Sequence, residues 1–568
     1  MRRGMLAAVS VGVVTAVATG CAGVPKSGPV VPGDQIDAEQ RQPYVGGEAL
    51  PPQPGASAEE TVAGFLEAMK YYEPDYSTAR RFLTPDASGR WEPAEAATIY
   101  STEPVPMEQA QGEVRVNLSV TATLDEGRQF ANRPSGTVEE YVFELERIES
   151  EWRIANPPPG LIIRDVDFDS EFEVYNLYYY APGSDALVPD PVYVPRQASV
   201  ATLLAQELVD GPSQWLALGV ETAFPAGTEV APAAVVEKSG LAEVKLSDTA
   251  QEASEVDRRR MVKQLAWTLG QVPGINEVAV SASPVAFGSA AAPVGDEDPA
   301  APRPASLFGL QAGGVVRFEA GEETAPVSGP LAEPAGAVEL AVNHSMTEAV
   351  VVDQARTALK LSRLQEDAEI EIIAAGSQLM SPSMDPLGRV WAVDQRPEGS
   401  ALIVSETGAT DAVTVPVAGV DDGSRIDAIE VSADGTRIAM AVDGQVATGV
   451  VVQGERLDDL RVVGVEPIVI DRLEDVVVDV SWHRFDQLAV LTGPDEESNV
   501  SARAYIVELD THNASLAGSS ITGAESIAAT WGESQELVVG AEERMLRLQR
   551  PSLDWVEIAG VYGPAYPG

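Results

Sequence analysis

The chain has 568 residues, of which 38 are basic and 87 acidic, so its formal net charge at pH 7 is −49. Negative charge of this size repels nucleic-acid backbones and anionic lipid head groups, which excludes nucleic acid as a partner and a basic surface as the means of membrane attachment. A single hydrophobic core rarely grows beyond about 250 to 300 residues, so the length predicts two to four domains. The one cysteine, Cys21, has no partner for an intramolecular disulfide and belongs to no CxxC or zinc-ligand pattern.

The first 20 residues have the pattern of a signal peptide. Arg2 and Arg3 precede an apolar or small stretch of 14 residues that runs from Met5 to Ala18. A helix needs about 20 residues to span the hydrocarbon core of a membrane, so this stretch is too short for a permanent membrane helix. The pattern therefore indicates an export signal that is removed.

The residues around Cys21 resemble the lipobox of bacterial lipoproteins. Small residues, Ala18 and Gly20, stand directly before the cysteine, although the position three before it is Ala18 rather than the usual leucine. The resemblance implies cleavage between Gly20 and Cys21, and lipid attachment at Cys21 as an N-palmitoyl and S-diacylglyceryl cysteine. Two acyl chains suffice for stable anchoring, so we expect a lipid anchor on the extracytoplasmic face of the cell membrane. The alternative is an ordinary signal peptide followed by an incidental cysteine.

The next two segments predict a tether and an α+β domain. Residues 21–57 are rich in proline, glycine and small polar residues, which is typical of a flexible tether. Residues 58–172 begin with a helical pattern and continue with alternating strands, an order similar to the NTF2 or cystatin type of fold. The helical pattern consists of four apolar residues, Val62, Phe65, Leu66 and Met69. The strand patterns fall in residues 113–125 and 137–156.

Residues 173–285 predict a small α/β domain. Tyrosine-rich strands come first, and two helices follow, each with one apolar stripe to bury. The stripes are Val200, Leu203, Leu204 and Leu208 in the first helix and Met261, Leu265 and Leu269 in the second. A last strand lies in "NEVAVSASP", and residues 286–304, rich in alanine, proline and acidic residues, then predict a linker.

Residues 305–568 contain a repeat of turn residues followed by a short alternating strand. Its equivalent positions are Ala349, Ala392, Ala439, Ala489 and Val538, at steps of 43, 47, 50 and 49 residues. A period of about 40 to 50 residues with short strands is typical of propeller blades, so we expect a β-propeller of five or six blades. A two-sheet sandwich is the alternative, and the period argues against it. The one helix-like pattern in the region is "DQARTALKLSRL", residues 353–364.

The chain offers few residues for catalysis. Of its three histidines, His344 and His483 fall at comparable places in two repeats, directly before strands, where a turn role is expected; the third is His512. The sequence has no GxSxG, HExxH or P-loop motif. We therefore expect no catalytic, cofactor or metal site, no small-molecule substrate and no enzymatic activity.

Two weaker patterns could bind ligands. Asp165, Asp167 and Asp169 resemble part of a calcium loop, but the expected glycine and final glutamate are missing, which favours a strand with one acidic edge. Three tryptophans of the repeat region could stack against glycans, although tryptophans in propeller blades usually pack in the core. They are Trp391, Trp482 and Trp531.

The order of lipobox, tether, α+β domain, small α/β domain and propeller resembles the actinobacterial lipoprotein LpqB family over nearly the whole chain. The most specific stretches are "GPS", "TAFPAGT" and "QLAWTLGQVPGI", which begin at residues 211, 222 and 264 and are similar to the GerMN module of sporulation and spore-germination lipoproteins. The resemblance implies an accessory protein of the MtrA and MtrB two-component system. Such a protein binds the extracytoplasmic domain of the MtrB-type sensor histidine kinase and affects cell-wall homeostasis and cell division.

The mechanism that we expect from this resemblance is preferential binding to one conformation of the kinase sensor domain, which shifts its population. The competing hypothesis is a cell-wall glycan-binding or glycan-processing protein that uses the face of the propeller.

Overall fold

The computed structural model describes residues 49–125, 130–134, 136–196, 199–231, 235–293, 299, 306–318, 324–334, 336–470, 476–493, 501–509, 513–530, 536–549 and 552–568. Across these ranges no helix is both long enough and apolar enough to cross a membrane.

The N-terminal region, residues 49–171, consists of short helices packed on one sheet. Its helices are α1 (Ala58–Ala68), α2 (Ser77–Arg80), α3 (Pro85–Arg90) and α4 (Asp165–Glu171). Its strands are β1 (Ala97–Tyr100), β2 (Met107–Ala110), β3 (Glu113–Leu124), β4 (Phe130–Asn132), β5 (Val138–Ile148), β6 (Glu151–Ile154) and β7 (Leu161–Arg164). The sheet has the order β6-β5-β3-β1-β7, with β2 and β4 also paired to β3, and only β1 and β7 run parallel.

The first helix and the long strands form where the sequence predicts them. Ser57 and Glu60 make a capping box at the start of α1, and this helix buries Val62 and Phe65 in the domain core. Alternate residues of β3 are buried along its whole length, as a sheet with one covered face requires.

The prediction of an acidic strand at residues 165–169 is wrong, because these residues form α4. Successive residues of a helix point about 100° apart, so three alternate acids do not share one edge. Asp167 pairs with Arg164 and Lys70, at 3.0 and 3.2 Å. Desolvation, together with the charge of Asp165, raises the pKa of Asp169.

The middle region, residues 172–293, contains a two-stranded ribbon, two helices and a four-stranded sheet. Its elements are β8 (Phe172–Tyr180), β9 (Leu187–Pro195), α5 (Val200–Asp210), β10 (Val236–Lys238), β11 (Leu241–Leu246), α6 (Glu255–Leu269), β12 (Glu277–Ala282) and β13 (Val285–Ala291). The ribbon joins β8 and β9, and the sheet has the order β10-β11-β12-β13. Strands β11 and β12 run parallel, with α6 as the connection between them.

The predicted apolar stripes of the middle region are buried in one core. Met261, Leu265 and Leu269 of α6 are completely buried, as are Leu204 and Leu208 of α5. Residues 286–291, which the composition assigned to a linker, instead belong to β13 and pair with β12. Backbone pairing along this exposed edge requires no apolar periodicity, so the sequence pattern did not reveal the strand.

The third region, residues 306–568, is a propeller of six four-stranded sheets among the described residues. Blade 1 contains β14 (Phe308–Gln311), β15 (Gly314–Phe318) and β16 (Thr324–Pro326); blade 2 contains β17 (Ala337–Val342), β18 (Glu348–Asp353), β19 (Ala358–Arg363) and β20 (Glu371–Ala375). Blade 3 contains β21 (Leu379–Met384), β22 (Val390–Arg396), β23 (Gly399–Ser405) and β24 (Val413–Thr414); blade 4 contains β25 (Ile426–Val431), β26 (Arg437–Val442), β27 (Gln445–Val452) and β28 (Arg461–Pro467).

Blade 5 contains β29 (Val477–Arg484), β30 (Gln487–Thr492), β31 (Arg503–Glu508) and β32 (Ala514–Leu516); blade 6 contains β33 (Ala524–Ala529), β34 (Leu537–Ala541), β35 (Arg544–Gln549) and β36 (Asp554–Ala559). The last strand, β37 (Tyr562–Ala565), pairs with β14 and completes blade 1. The two ends of the propeller sequence therefore meet in one sheet, which closes the ring.

The repeat predicts the blades correctly. All five equivalent positions lie on the second strand of blades 2 to 6, and all are completely buried: Ala349, Ala392, Ala439, Ala489 and Val538. The helix-like pattern of residues 353–364 is wrong, because it spans a turn and strand β19. Arg356 has a φ of 57° in this turn, and Leu359 and Leu361 are buried with the period of a strand.

The middle region contacts the propeller through the loop that follows α5. The indole N–H of Trp215 donates to the carbonyl oxygen of Gly464 at 2.9 Å, and Leu216 packs against Val450 of β27. Gly219 approaches so closely that a Cβ atom there would lie 2.3 Å from a methyl carbon of Val450. The N-terminal region adds one bond, from the side-chain amide of Asn132 to the carbonyl of Val469 at 3.0 Å.

Candidate functional site in the propeller channel

The innermost strands of the six blades surround a cavity of about 460 Å³. These strands are β17, β21, β25, β29, β33 and β37. A volume of this size is typical of small-molecule and side-chain binding sites.

The cavity is strongly acidic. Its described lining residues include six carboxylates and one arginine, Arg356. The carboxylates are Glu339, Asp427, Glu430, Asp479, Glu525 and Glu542. Low-dielectric walls concentrate the field of such charges, so the cavity attracts cations and positively charged side chains.

Three of these carboxylates are held by the neighbouring blade. The backbone N–H of Ser381 donates to Glu339, that of Trp482 donates to Glu430 at 2.9 Å, and that of Ile527 donates to Asp479 at 2.7 Å. Hydrogen bonds from backbone N–H groups fix a carboxylate in position and favour its charged form. The same acidic side chains therefore line the cavity and join neighbouring blades.

Serine side chains join the same strands. The backbone N–H of Ile429 donates to Ser381 Oγ at 2.8 Å, that of Val431 to Ser383 Oγ at 3.1 Å and that of Ala529 to Ser481 Oγ at 3.0 Å. Each of these pairs is separated by 48 residues, within the range of the repeat steps between neighbouring blades. The channel wall thus repeats one contact from blade to blade.

One carboxyl group of the channel, that of Asp479, has a strongly raised pKa. Burial raises the pKa of Asp479 to about 8; the charges of Glu339 and Glu430 add to this effect, and the N–H groups of Ile527 and Val480 oppose it. The side chain is therefore largely protonated at neutral pH.

A second kind of polar contact lies in the turns of blades 3 and 4. Arg389 pairs with Asp385, and Arg437 pairs with Asp434, each at 2.6 Å. Burial opposes the ionisation of Asp434, but the charge of Arg437 and the hydroxyls of the turn outweigh it, so the pKa of Asp434 is lowered. These buried pairs hold the turns in place, and their residues are not among those that line the channel.

The sequence analysis did not identify the channel acids. The available signal was an acid followed by Val-Ser in two successive repeats, at Glu430 and Asp479. In each repeat this acid lies on the innermost strand, one of the strands that line the channel.

The two described tryptophans of the three, Trp391 and Trp482, do not offer stacking surfaces. Trp391 and Trp482 are 0% and 2% exposed, and their indole N–H groups donate to Asp385 at 2.9 Å and to the carbonyl of Glu430 at 3.0 Å. Both therefore belong to the blade cores, as tryptophans of propellers usually do. Trp531 lies outside the described residues.

The remaining predicted positions are dispersed. His344 lies in the turn between β17 and β18, whereas His483 is buried at the end of β29 and so is part of a strand rather than a turn. Gly20, Cys21 and His512 lie outside the described residues. Within the part of the chain that is described, no three His, Cys, Asp or Glu side chains are grouped to hold a metal ion.

Comparison with protein families gives three matches along the chain. "Lipoprotein LpqB, N-terminal domain" matches residues 51–169, "Sporulation and spore germination" matches residues 176–283, and "Lipoprotein LpqB beta-propeller domain" matches residues 313–567. These matches agree with the predicted succession of an α+β region, a GerMN-type region and a propeller, and confirm the predicted fold class.

Two similar full-length proteins carry the name Lipoprotein LpqB. The protein of Thermobifida fusca is 30% identical, with 99% of each chain covered, and that of Streptomyces coelicolor is 30% identical, with 100% of this chain and 98% of the other covered. Among solved structures, TolB from Acinetobacter baumannii aligns with 70% of this chain and 100% of its own at 11% identity. The TM-score of that alignment is 0.35, too low to support a conclusion about fold or function.

Proposed function

The chain belongs to the lipoprotein LpqB family, and from that premise we propose that it is a membrane-anchored extracytoplasmic lipoprotein that binds and modulates the sensor kinase of an MtrAB-type two-component system. In this role it affects cell-wall homeostasis and cell division. Cys21 carries the lipid anchor, after cleavage between Gly20 and Cys21.

The observation that carries this proposal is the fixed negative charge of the propeller channel. Glu339 and Glu430 are both hydrogen-bonded to backbone N–H groups of the next blade. Carboxylates held in this way do not rearrange when a partner approaches, which favours recognition of a positively charged group on that partner. Partner binding accounts for this geometry better than hydrolysis, which needs an acid and a base free to exchange protons with a substrate.

The buried tryptophans argue against the glycan hypothesis. A sugar ring binds to proteins through exposed aromatic faces, and Trp391 and Trp482 expose almost none of their surface. Charge complementarity with a protein partner does not depend on these rings.

Modulation follows from differential binding. If the lipoprotein binds one conformation of the kinase sensor domain more tightly than the other, it shifts the equilibrium by the ratio of the two affinities. The lipid anchor keeps the protein close to the membrane that holds the kinase, which raises the effective concentration of each for the other.

A binding experiment with two ligands tests the proposal. The full chain is incubated with the purified extracytoplasmic domain of the kinase and, in parallel, with sedimented peptidoglycan. We expect saturable binding to the kinase domain, which weakens as salt is raised, and no enrichment in the peptidoglycan pellet. Peptidoglycan binding without kinase binding would favour the glycan hypothesis and contradict the proposal.

Paired charge variants then test the role of the channel. Glu525→Gln with Glu542→Gln removes two exposed charges at the cavity, and Glu366→Gln with Glu398→Gln removes two exposed charges elsewhere on the propeller. The first pair should weaken kinase binding by roughly three- to tenfold and reduce its salt dependence, because charges at an interface mainly set the association rate. An equal effect of both pairs would show that only the total charge matters.

A further inference from the structure

The four-stranded sheet of the middle region ends at β13. This strand pairs with β12 on one side, and no described strand pairs with its other side. One face of β13 is covered by α6, and Phe287 and Ala290 pack against the core of the middle region. The covered face fixes the strand in place, while its outer edge offers backbone groups to a further strand.

The hydrogen-bond register shows which backbone groups these are. The N–H of Ala292 donates to the carbonyl oxygen of Asn276 at 2.9 Å. Hydrogen-bonded positions alternate along an antiparallel strand, so Ala290 also faces β12, whereas the N–H and C=O groups of Ser289 and Ala291 face away from it. Among the described residues, none donates to or accepts from these outward groups.

The edge of β13 lacks the features that usually prevent strands of two molecules from pairing. The other described edge strands carry a charged residue or a proline, or contain only two or three residues. Strand β13 has seven residues and neither a charge nor a proline. Its one bulge falls at Phe287, which leaves residues 288–292 in regular register with β12.

Charge favours a second copy of this chain as the added strand. Two chains with a net charge of −49 repel each other, and residues 278–295 contain no Asp, Glu, Lys or Arg, so contact through them brings no charged side chains of this segment together. A basic segment of another protein would find no carboxylate on β13 to pair with. The edge is also complementary to itself, because it offers the same donors and acceptors to an antiparallel copy.

We propose that two copies of the chain associate through β13, in an antiparallel pair centred on Ala290. Ser289 of each copy lies opposite Ala291 of the other, and their outward groups form about four N–H···O bonds. The two four-stranded sheets then become one continuous sheet. None of these residues lines the propeller channel, and the contact goes beyond the proposed kinase binding, so its failure would leave that proposal unaffected.

This contact is small, so association in solution is weak. Stable interfaces bury about 1,200 to 2,000 Å² in total, which two short strand edges do not reach. We expect a dissociation constant of roughly 10 to 100 µM. The proposed lipid anchors hold the copies on one membrane, which raises their effective concentration.

Sedimentation equilibrium tests whether the dimer exists. The full chain with Cys21→Ser is used, so that neither acyl chains nor detergent contribute to association, over a range of about 2 to 300 µM. We expect an equilibrium between monomer and dimer that strengthens several-fold as salt is raised from about 50 to 300 mM, because screening reduces the repulsion between the two acidic chains. A monomer at every concentration would overturn the proposal.

Hydrogen exchange with residue-level fragmentation locates the contact. The amides of Ser289 and Ala291 face water in the monomer, so their exchange should slow about threefold or more from the lowest to the highest concentration. The amide of Ala290 faces β12 and should be protected at both concentrations. A dimer without slower exchange at Ser289 and Ala291 would use another surface and would contradict the proposal.

Two variants of the exposed Ala291 test the role of the edge. Ala291→Pro removes an outward N–H and leaves the ladder with β12 intact, whereas Ala291→Asp keeps this N–H and places a carboxylate at the edge. Each should weaken dimerisation about tenfold or more. Ser289→Ala is the control, because it removes the hydroxyl that donates to Glu277 at 2.6 Å but keeps the outward backbone groups. It should dimerise as the unsubstituted chain does.

Circular dichroism spectra establish that the three variants are folded. If Ala291→Pro does not fold, Ala291→Asp decides the question, since its side chain lies at an exposed position. Unchanged dimerisation of Ala291→Asp, or equal weakening by Ser289→Ala, would overturn the proposal.

Discussion

At the scale of single residues, Asp479 connects the channel to the stability of the propeller. Its carboxyl group accepts N–H bonds from Val480 and from Ile527 of the next blade, and it lies close enough to Glu339 and Glu430 to be affected by their charges. A proton on this group removes a negative charge from the centre of the ring. Protonation of Asp479 and cohesion of blades 5 and 6 are therefore linked.

We predict that this linkage makes stability depend on pH. The pKa of Asp479 is raised to about 8 in the fold, whereas an unfolded aspartate titrates near pH 4. The stabilising effect of its proton is thus fully present below about pH 4 and is lost as the pH rises to about 8. Between pH 5 and pH 8 the free energy of unfolding should fall by roughly 2 to 4 kcal/mol more in the unsubstituted chain than in Asp479→Asn.

Urea unfolding at several pH values measures this difference. Ser481→Ala is the control, because Ser481 also accepts an N–H from β33, at 3.0 Å, but carries no charge. It should lose stability at every pH and keep the pH dependence of the unsubstituted chain. Identical pH profiles for Asp479→Asn and the unsubstituted chain would disprove the linkage.

For single residues, the sequence predicted burial correctly where the local repeat pattern determines it. Ala349, Ala392 and Ala439 are equivalent in the repeat, and all are completely buried in the structure. The channel acids were missed because their environment depends on the packing of neighbouring blades, which brings together residues 48 positions apart. The roles of Gly20 and Cys21 rest on the lipobox resemblance and stay predictions.

At the scale of elements, the loop after α5 joins the middle region to the propeller. Trp215 donates a hydrogen bond to Gly464 and packs against the apolar cluster in which Leu216 is completely buried with Val450. Few residues take part in this contact. It can fix the relative position of the two regions only while its apolar side chains stay buried.

Loss of this contact should be visible by hydrogen exchange. We expect Trp215→Ala to increase amide exchange in residues 213–220 and in β27 and β28, because both sides of the contact become exposed. Trp555→Ala is the control, since Trp555 donates to Ser519 within the propeller and should affect only blade 6 and its neighbours. If exchange rises in residues 213–220 alone, the loop does not hold the propeller.

The closing strand gives a second prediction at this scale. Truncation after Val561 removes β37, which pairs with β14 and lines the channel beside β17 and β33. Blade 1 should then lose its protection from hydrogen exchange, because closure of the ring hides its strand edges.

A synthetic peptide of residues 561–568, added to the truncated chain, should restore protection in β14 by strand addition. A peptide with the same composition in scrambled order is the control. If blade 1 remains protected without β37, closure of the ring does not depend on this strand.

Prediction of elements was limited by long-range pairing. The strand pattern of residues 137–156 is confirmed, and in the structure a turn of Glu149 and Ser150, with φ values of 51° and 75°, divides it into β5 and β6. Blade 1 was not evident in the repeat, because its strands come from opposite ends of the propeller sequence. Residues 353–364 show that a short apolar pattern can fit the period of a helix and that of a strand equally well. Here residues 358–363 form strand β19, because they pair with both β18 and β20.

At the scale of the whole molecule, the proposed function requires anchoring at the membrane. Cys21→Ser should leave the protein unlabelled by a fatty-acid probe and release it from the membrane fraction, because a net charge of −49 offers no other attachment to anionic lipid. Cell fractionation after metabolic labelling measures both effects. Retention of the variant in the membrane fraction, with label, would contradict the anchor.

The central claim is that this lipoprotein modulates a sensor kinase. The most direct measurement is the autophosphorylation rate of the full-length kinase in liposomes, titrated with the full lipidated chain. We predict a saturable change in rate that reaches its half-point at the affinity measured for the extracytoplasmic domain, since both report one binding equilibrium. An unchanged rate at concentrations that saturate binding would contradict modulation, and the absence of binding would contradict the proposed function itself.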